Sequence, residues 1–166
     1  MTPGLEGQFQ REGGSYVRIN SDGFSDREHT RTKPANTLRI AVLGDSFTEA
    51  MQLPFEQTYG FLLEQKLQQC NALRGQRAEV INFGVSGYGT ALELLTLRQK
   101  VWDYSPDIVL LAFTTHNDVF DNSRALSQGE EVPYFVYRNG ELTYDESFRD
   151  SKLYRQRDSR MNRAGR

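Results

Sequence analysis

Three short stretches of this 166-residue chain carry groups suited to acyl chemistry: "GDSFTE" (44–49), "GVSGYGT" (84–90) and "THND" (115–118). Each follows an apolar run. Ser46 supplies a hydroxyl oxygen, Gly87 a backbone N–H with no side chain in front of it, and Asn117 a carboxamide donor. A serine oxygen beside convergent donors is what acyl transfer requires, because the tetrahedral intermediate places negative charge on one oxygen. Each residue alone has a plainer reading: Ser46 as a helix cap, Asn117 as a turn residue. Three such signals at successive strand ends favour one shared site, since ligands of open parallel sheets lie outside the carboxyl ends of the strands.

The elements that must position these groups follow from the hydrophobic pattern. Residues 39–43, 78–83 ("AEVINF") and 107–113 ("DIVLLAF") are short apolar runs of strand length. From Tyr59 to Cys70 apolar residues recur at helical spacing, with Glu64, Gln65, Gln68 and Gln69 on the far side. Cys70 falls on the apolar side of that pattern and reads as a packed thiol. Residues 91–104 form a second amphipathic helix, capped by Thr90 and stopped by Pro106. Strands alternating with helices imply right-handed crossovers and a parallel sheet covered on both faces. Gly44 is expected to permit a tight turn that sets Ser46 at a helix N-terminus, where backbone N–H groups stabilise an anion.

Three regions divide the chain. Residues 1–37 are an irregular N-terminal segment, with "YVRI" resembling a short strand and Asp22-Gly23 signalling a small hairpin. Residues 38–145 form the α/β unit, closing on a second hairpin at 134–144 around Asn139-Gly140. Residues 146–166 are a basic polar tail, read as a solvated helix or frayed end.

A net charge of −2 argues against a nucleic-acid footprint, and no run approaches the ~20 apolar residues of a membrane span. The first fourteen residues have neither the basic nor the apolar region of an export signal, so the compartment is unknown from the sequence. No His, Cys and carboxylate cluster has metal-ligand spacing, and neither a metal nor an organic cofactor is implied. One glycine and no lysine follow the first strand, which disfavours a phosphate-binding P-loop.

In these motifs the chain resembles the SGNH (GDSL-type) hydrolases. "GDSFTEA" looks like the first block of that family, "NFGVSGYGT" like the second and "THND" like the third. The similarity runs from about residue 19 to the hairpin near 144, in the manner of bacterial envelope-associated or exported members. It implies a three-layer α/β/α sandwich with a flavodoxin-like sheet. It also implies ester hydrolysis by Ser46, with its own N–H, Gly87 N–H and the Asn117 side chain holding the oxyanion. The substrates would be small-molecule, carbohydrate or lipid esters, and Asp45 would be a structural acid bonded to backbone. An O-acyltransferase on the same site and a non-catalytic binding domain are the rival readings.

The chain departs from the family in four places. Ala50 stands where glycine is common, and His116 where the third block often has glycine, either crowding the oxyanion hole or pointing into solvent. The Asp-x-x-His block that follows the family's fifth strand is missing, and the C-terminal strands with it. The one Asp-x-x-His here, Asp26 to His29, precedes the serine and reads as a solvated turn in preference to a substitute base. The strand at 107–113 is interior in the family but becomes an edge here, apolar on both faces. That predicts self-association through this strand, with the hairpin at 134–144 folding back over it as the alternative.

Overall fold

The computed structural model describes residues 1–11, 13–70, 73–127 and 132–164, so the end of the basic tail, 165–166, lies outside it. Strands β1 (Glu6–Phe9) and β2 (Ser15–Arg18) come first, followed by β3 (Thr37–Gly44) and a single helical turn, α1 (Ser46–Glu49). Helix α2 (Tyr59–Gln68), strand β4 (Arg77–Asn82), helix α3 (Thr90–Gln99) and strand β5 (Ile108–Ala112) complete the α/β pattern. Short helices α4 (Asn117–Asp121) and α5 (Arg124–Ser127), hairpin strands β6 (Tyr134–Arg138) and β7 (Glu141–Asp145), and α6 (Lys152–Ala164) follow.

The central sheet is parallel, in the order β4-β3-β5, with Ile40 opposite both Val80 and Ile108. Alternation then sorts the strand residues onto two faces. Ile40, Val42 and Val80 pack with Leu63 and Leu67 of α2. Ala41, Leu43, Ile81 and Phe83 pack on the other side with Phe24, Val101, Tyr104 and Leu97 of α3. Phe83 anchors that second layer, its ring edge-on to Phe24 and Tyr104 at 5.0 and 5.4 Å. The architecture is a three-layer α/β/α sandwich.

Several expectations are corrected. The N-terminal hairpin is β1–β2, upstream of Asp22-Gly23. Asn20 to Phe24 is a turn closed by the Asn20 side chain, whose Oδ1 accepts from Phe24 N–H at 2.9 Å and so seats Phe24 in the core. The second helix is shorter than its pattern suggests, ending at Gln99 before a separate 3₁₀ turn over Val101–Tyr104. Thr90 is its first residue, with Gly89 in the cap position. Cys70 lies past the end of α2 and is exposed. The β6–β7 hairpin makes a sheet of its own and does not join β5.

The two edges of the central sheet differ in kind. Along β4, every second N–H is taken by a side chain: Ala78 donates to Gln68 Oε1 at 2.9 Å, Val80 to Glu64 Oε2 at 2.7 Å and Asn82 to Asp26 Oδ2 at 2.7 Å. Side-chain acceptors there replace a neighbouring strand and close the edge to pairing. Along β5, Ile108, Leu110 and Leu111 are 39–52 % exposed.

Candidate active site

The serine loop is built by close packing. An ideal Cβ at Gly44 would lie 2.0 Å from Thr48 Oγ1, so glycine is required because α1 folds back onto the end of β3. Gly44 does not take a left-handed conformation, and the tight-turn expectation is replaced by this contact. Gly84 meets α1 in the same way, its ideal Cβ falling 2.5 Å from Glu49 N. Asp45 is fully buried and caps α1, accepting from Phe47 N–H at 2.9 Å. Ser46 is the first residue of α1 and is exposed. Ala50 ends the turn at φ 51°, which explains why glycine suits this position: an alanine held there bears a cost of about 1 kcal/mol.

The second loop is fastened to α1 by side chains. Asn82 Nδ2 donates to Thr48 O at 2.7 Å, and Asn82 Oδ1 accepts from Gly84 N–H at 2.8 Å. Ser86 donates from both N–H and hydroxyl to Glu49 Oε2, the first at 3.0 Å. Gly87 follows at φ 79°, exposed, with nothing within 4 Å of where a Cβ would stand. Its need for glycine is therefore conformational.

The third loop carries Asn117 to the serine loop. Asn117 Nδ2 donates to Asp45 Oδ2 at 2.6 Å, which leaves its second N–H for another acceptor. Asp118, fully buried, closes the loop by accepting from Thr114 N–H at 2.7 Å. Asn122 ties this loop to the second one: its Oδ1 accepts from Ala91 N–H at 2.8 Å, and its Nδ2 donates to Thr90 Oγ1 and Asp118 O. Asn122, Asn82 and Glu49 join the loops in ways the sequence does not signal. Their roles depend on contacts between loops, which no local spacing announces.

Two histidines complete the inventory. His116 is exposed in the cap position of α4. The side chain of His29 is buried and paired, so the solvated-turn expectation is corrected. Its Nδ1 faces Glu79 Oε1 at 2.8 Å and its Nε2 faces Asp26 Oδ2 at 3.2 Å. Burial lowers its pKa, but the bonds to Asp26 and Glu79 outweigh burial and leave it raised. Arg39, fully buried within β3, donates to the other oxygen of Glu79 at 2.8 Å. Burial alone would raise Glu79, and its bonds to Arg39 and His29 hold it below the usual carboxylate range.

Residues 40–139 match the family described as "GDSL-like Lipase/Acylhydrolase". The chain belongs to that family. An arylesterase of Vibrio mimicus is 36 % identical over 73 residues, which are 44 % of this chain and 34 % of that protein. The crystal structure of AlinE4, an SGNH-hydrolase family esterase, is 30 % identical, covering 47 % of this chain and 42 % of its own, with TM-score 0.36. A mutant of the same esterase is 29 % identical over 56 % of this chain and 48 % of its own, with TM-score 0.39. The chain spans less than half the length of these relatives. The GDSL-like match contains Ser46, Gly87 and Asn117 and excludes the Asp26–His29 pair. Among the described residues of this GDSL-like chain no helix is long and apolar enough to cross a membrane. Nor do any three His, Cys, Asp or Glu among them form a group that could hold a metal ion.

Proposed function

We propose that this chain carries the nucleophile side of a serine ester hydrolase, acting on a small-molecule, carbohydrate or lipid ester. Ser46 Oγ attacks the acyl carbonyl. The oxyanion is held by the N–H groups of Ser46 and Gly87 and by the free N–H of the Asn117 carboxamide. The observation that carries this reading is the Asn117–Asp45 bond, which sets a carboxamide donor beside the residue preceding the serine. Asp45 orients that donor and caps α1; both of its oxygens accept hydrogen bonds, so it is not the general base. The mechanism requires a general base, a role that the family resemblance implies for an Asp-x-x-His block. The acylhydrolase description of the family and the arylesterase name of one relative favour hydrolysis over transfer to an alcohol and over a binding role.

The test is covalent. On incubation with p-nitrophenyl acetate, peptide mass spectrometry is expected to find an acetyl group on Ser46, where slow deacylation lets it accumulate. The same peptide in Ser46→Ala should remain unmodified. Acetylation of surface lysines with Ser46 left free would remove the nucleophile assignment. Transfer of the acetyl group to an added sugar alcohol faster than to water would convert the reading to an acyltransferase.

A further inference from the structure

Glu49 closes the helical turn that begins with Ser46, and it is 1 % exposed. Burying a carboxylate is costly unless donors meet it. Both donors that meet this one belong to a single residue of the second loop. Ser86 gives Oε2 its N–H at 3.0 Å and its hydroxyl as well. Oε1 has no hydrogen-bond partner among the described residues. Among those residues, Ser86 is all that the carboxylate grips.

Ser86 leads directly into Gly87. The two are the centre of a four-residue turn closed by Tyr88 N–H, which donates to Val85 O at 3.1 Å. Gly87, the third residue, has φ 79°, and Ser86, the second, is not left-handed, the combination of a type II turn. That geometry sets which way the Gly87 N–H points within the turn. It does not set where the turn stands. No packing at Gly87 does so either, since nothing lies within 4 Å of where its Cβ would be. The placement comes from two anchors on the serine loop: Val85 N–H donates to Gly44 O at 3.0 Å, and Ser86 is held by Glu49.

We propose that Glu49 is a positioning residue of the oxyanion site: its carboxylate clamps Ser86 to the turn of Ser46 and so fixes where the Gly87 N–H stands relative to the nucleophile. The proposal rests on the reading of Gly87 as an oxyanion donor. Ser46 and Glu49 share one helical turn, so nucleophile and clamp move together. Bonds to an ionised acceptor are about twice as strong as neutral ones, and here two converge on one oxygen. Without that acceptor, Ser86 is exposed and free of α1, and Gly87 is released with it.

The experiment compares wild type, Glu49→Gln, Glu49→Met and Ser86→Ala in the 166-residue chain. The Gly87 backbone amide is followed by ¹⁵N NMR, assigned by Gly87→Ala. The acetylation rate of Ser46 by p-nitrophenyl acetate is followed by peptide mass spectrometry. Glu49→Gln keeps an oxygen able to accept both bonds, so Gly87 should keep its position and Ser46 nearly its wild-type rate. Glu49→Met fills the same space without an acceptor. Its Gly87 signal should move away from that of Glu49→Gln, and acetylation should slow about 10²-fold, the order that a misplacement of about 1 Å costs. Both variants lose the charge, so the difference between them reports the clamp. Ser86→Ala keeps the N–H bond and should slow acetylation less. Equal Gly87 signals in Glu49→Gln and Glu49→Met would overturn the proposal. If Glu49→Met fails to fold, an acetylation rate in Ser86→Ala equal to wild type would overturn it instead. The oxyanion reading fails separately: the Gly87 signals would then differ while all the chains acetylate Ser46 at one rate, and the role of Glu49 in the site would fall with it.

Discussion

The Asn117 carboxamide donates to the carboxylate of Asp45 at 2.6 Å across 72 residues of sequence, joining the third strand-end loop to the first. The same carboxylate caps α1 through Phe47 N–H. Removing it in Asp45→Ala therefore strands two donors at once. A lost N-cap costs about 1 kcal/mol and a charge-assisted buried bond about 1.5–3 kcal/mol. Relief of repulsion with Asp118 offsets part of this. Urea unfolding should show a net loss of roughly 2 kcal/mol, and a loss below about 0.5 kcal/mol would mean that Asp45 does not join the loops.

Much of this was legible in the sequence because it is periodic or local. Three apolar strands and two amphipathic helices gave the layers, and the three polar stretches gave the strand ends. What the local pattern does not carry depends on tertiary contact. Gly44 looks like a turn glycine, yet it is a glycine because Thr48 packs against it. Asp-x-x-His at 26–29 looks like a solvated turn, yet it folds into a buried network with Glu79 and Arg39, residues from two different strands. Glu93 in a first helical turn looks like an ordinary solvent-facing acid favoured by the helix dipole. It is 1 % exposed instead, a burial that no local spacing announces.

The glycines divide into two kinds that substitution will separate. Gly44→Ala drives a Cβ into Thr48 Oγ1 and must displace α1, an overpacking that costs about 1–3 kcal/mol or more. Gly87→Ala meets no atom and keeps its N–H, so it bears only the left-handed backbone cost of about 1–2 kcal/mol. Thermal unfolding should rank Gly44→Ala as the less stable of the two. Near-UV circular dichroism should change only there.

Catalysis by the isolated chain should be weak. Its turnover of p-nitrophenyl acetate is expected to lie barely above that of Ser46→Ala, because a serine hydrolase without its base retains only what oxyanion stabilisation and binding supply. His29 is held by Asp26 and Glu79, so His29→Ala should leave that residual rate unchanged. Robust Ser46-dependent turnover abolished by His116→Ala would instead identify the exposed histidine as the base.

The His29 network makes stability depend on pH in a defined direction. Its folded pKa is raised, so its contribution is fully present below the unfolded value of about 6.5 and is lost as pH rises through the folded value. Glu79 is lowered, so its contribution is present above about 4.5 and is lost as pH falls through its folded value. Glu93, raised to about 8, also costs stability as pH rises from about 4.5 to about 8, and comparison with His29→Gln at each pH removes that background. The stability gap between wild type and His29→Gln should be widest near about pH 6 and narrow by about pH 9. A gap that widens with pH would show His29 to be buried neutral.

The open edge of the sheet sets the last expectation. Side chains fill the hydrogen-bonding positions along β4, whereas β5 exposes Ile108, Leu110 and Leu111, with Phe113 just beyond it 48 % exposed. Fully covering one such side chain is worth about 1.5–3 kcal/mol, and a bare strand edge recruits other strands. The β6–β7 hairpin pairs within itself and leaves that edge open. The isolated chain is therefore expected to dimerise or aggregate through β5 in sedimentation experiments, and Leu110→Lys should shift it toward monomer. The Ser46 loop lies at the opposite, β3, side of β5's pairing, so the same substitution should leave the acetylation of Ser46 intact. A wild-type chain that stays monomeric at high concentration, with the β5 amides exchanging freely, would show that water alone covers this edge.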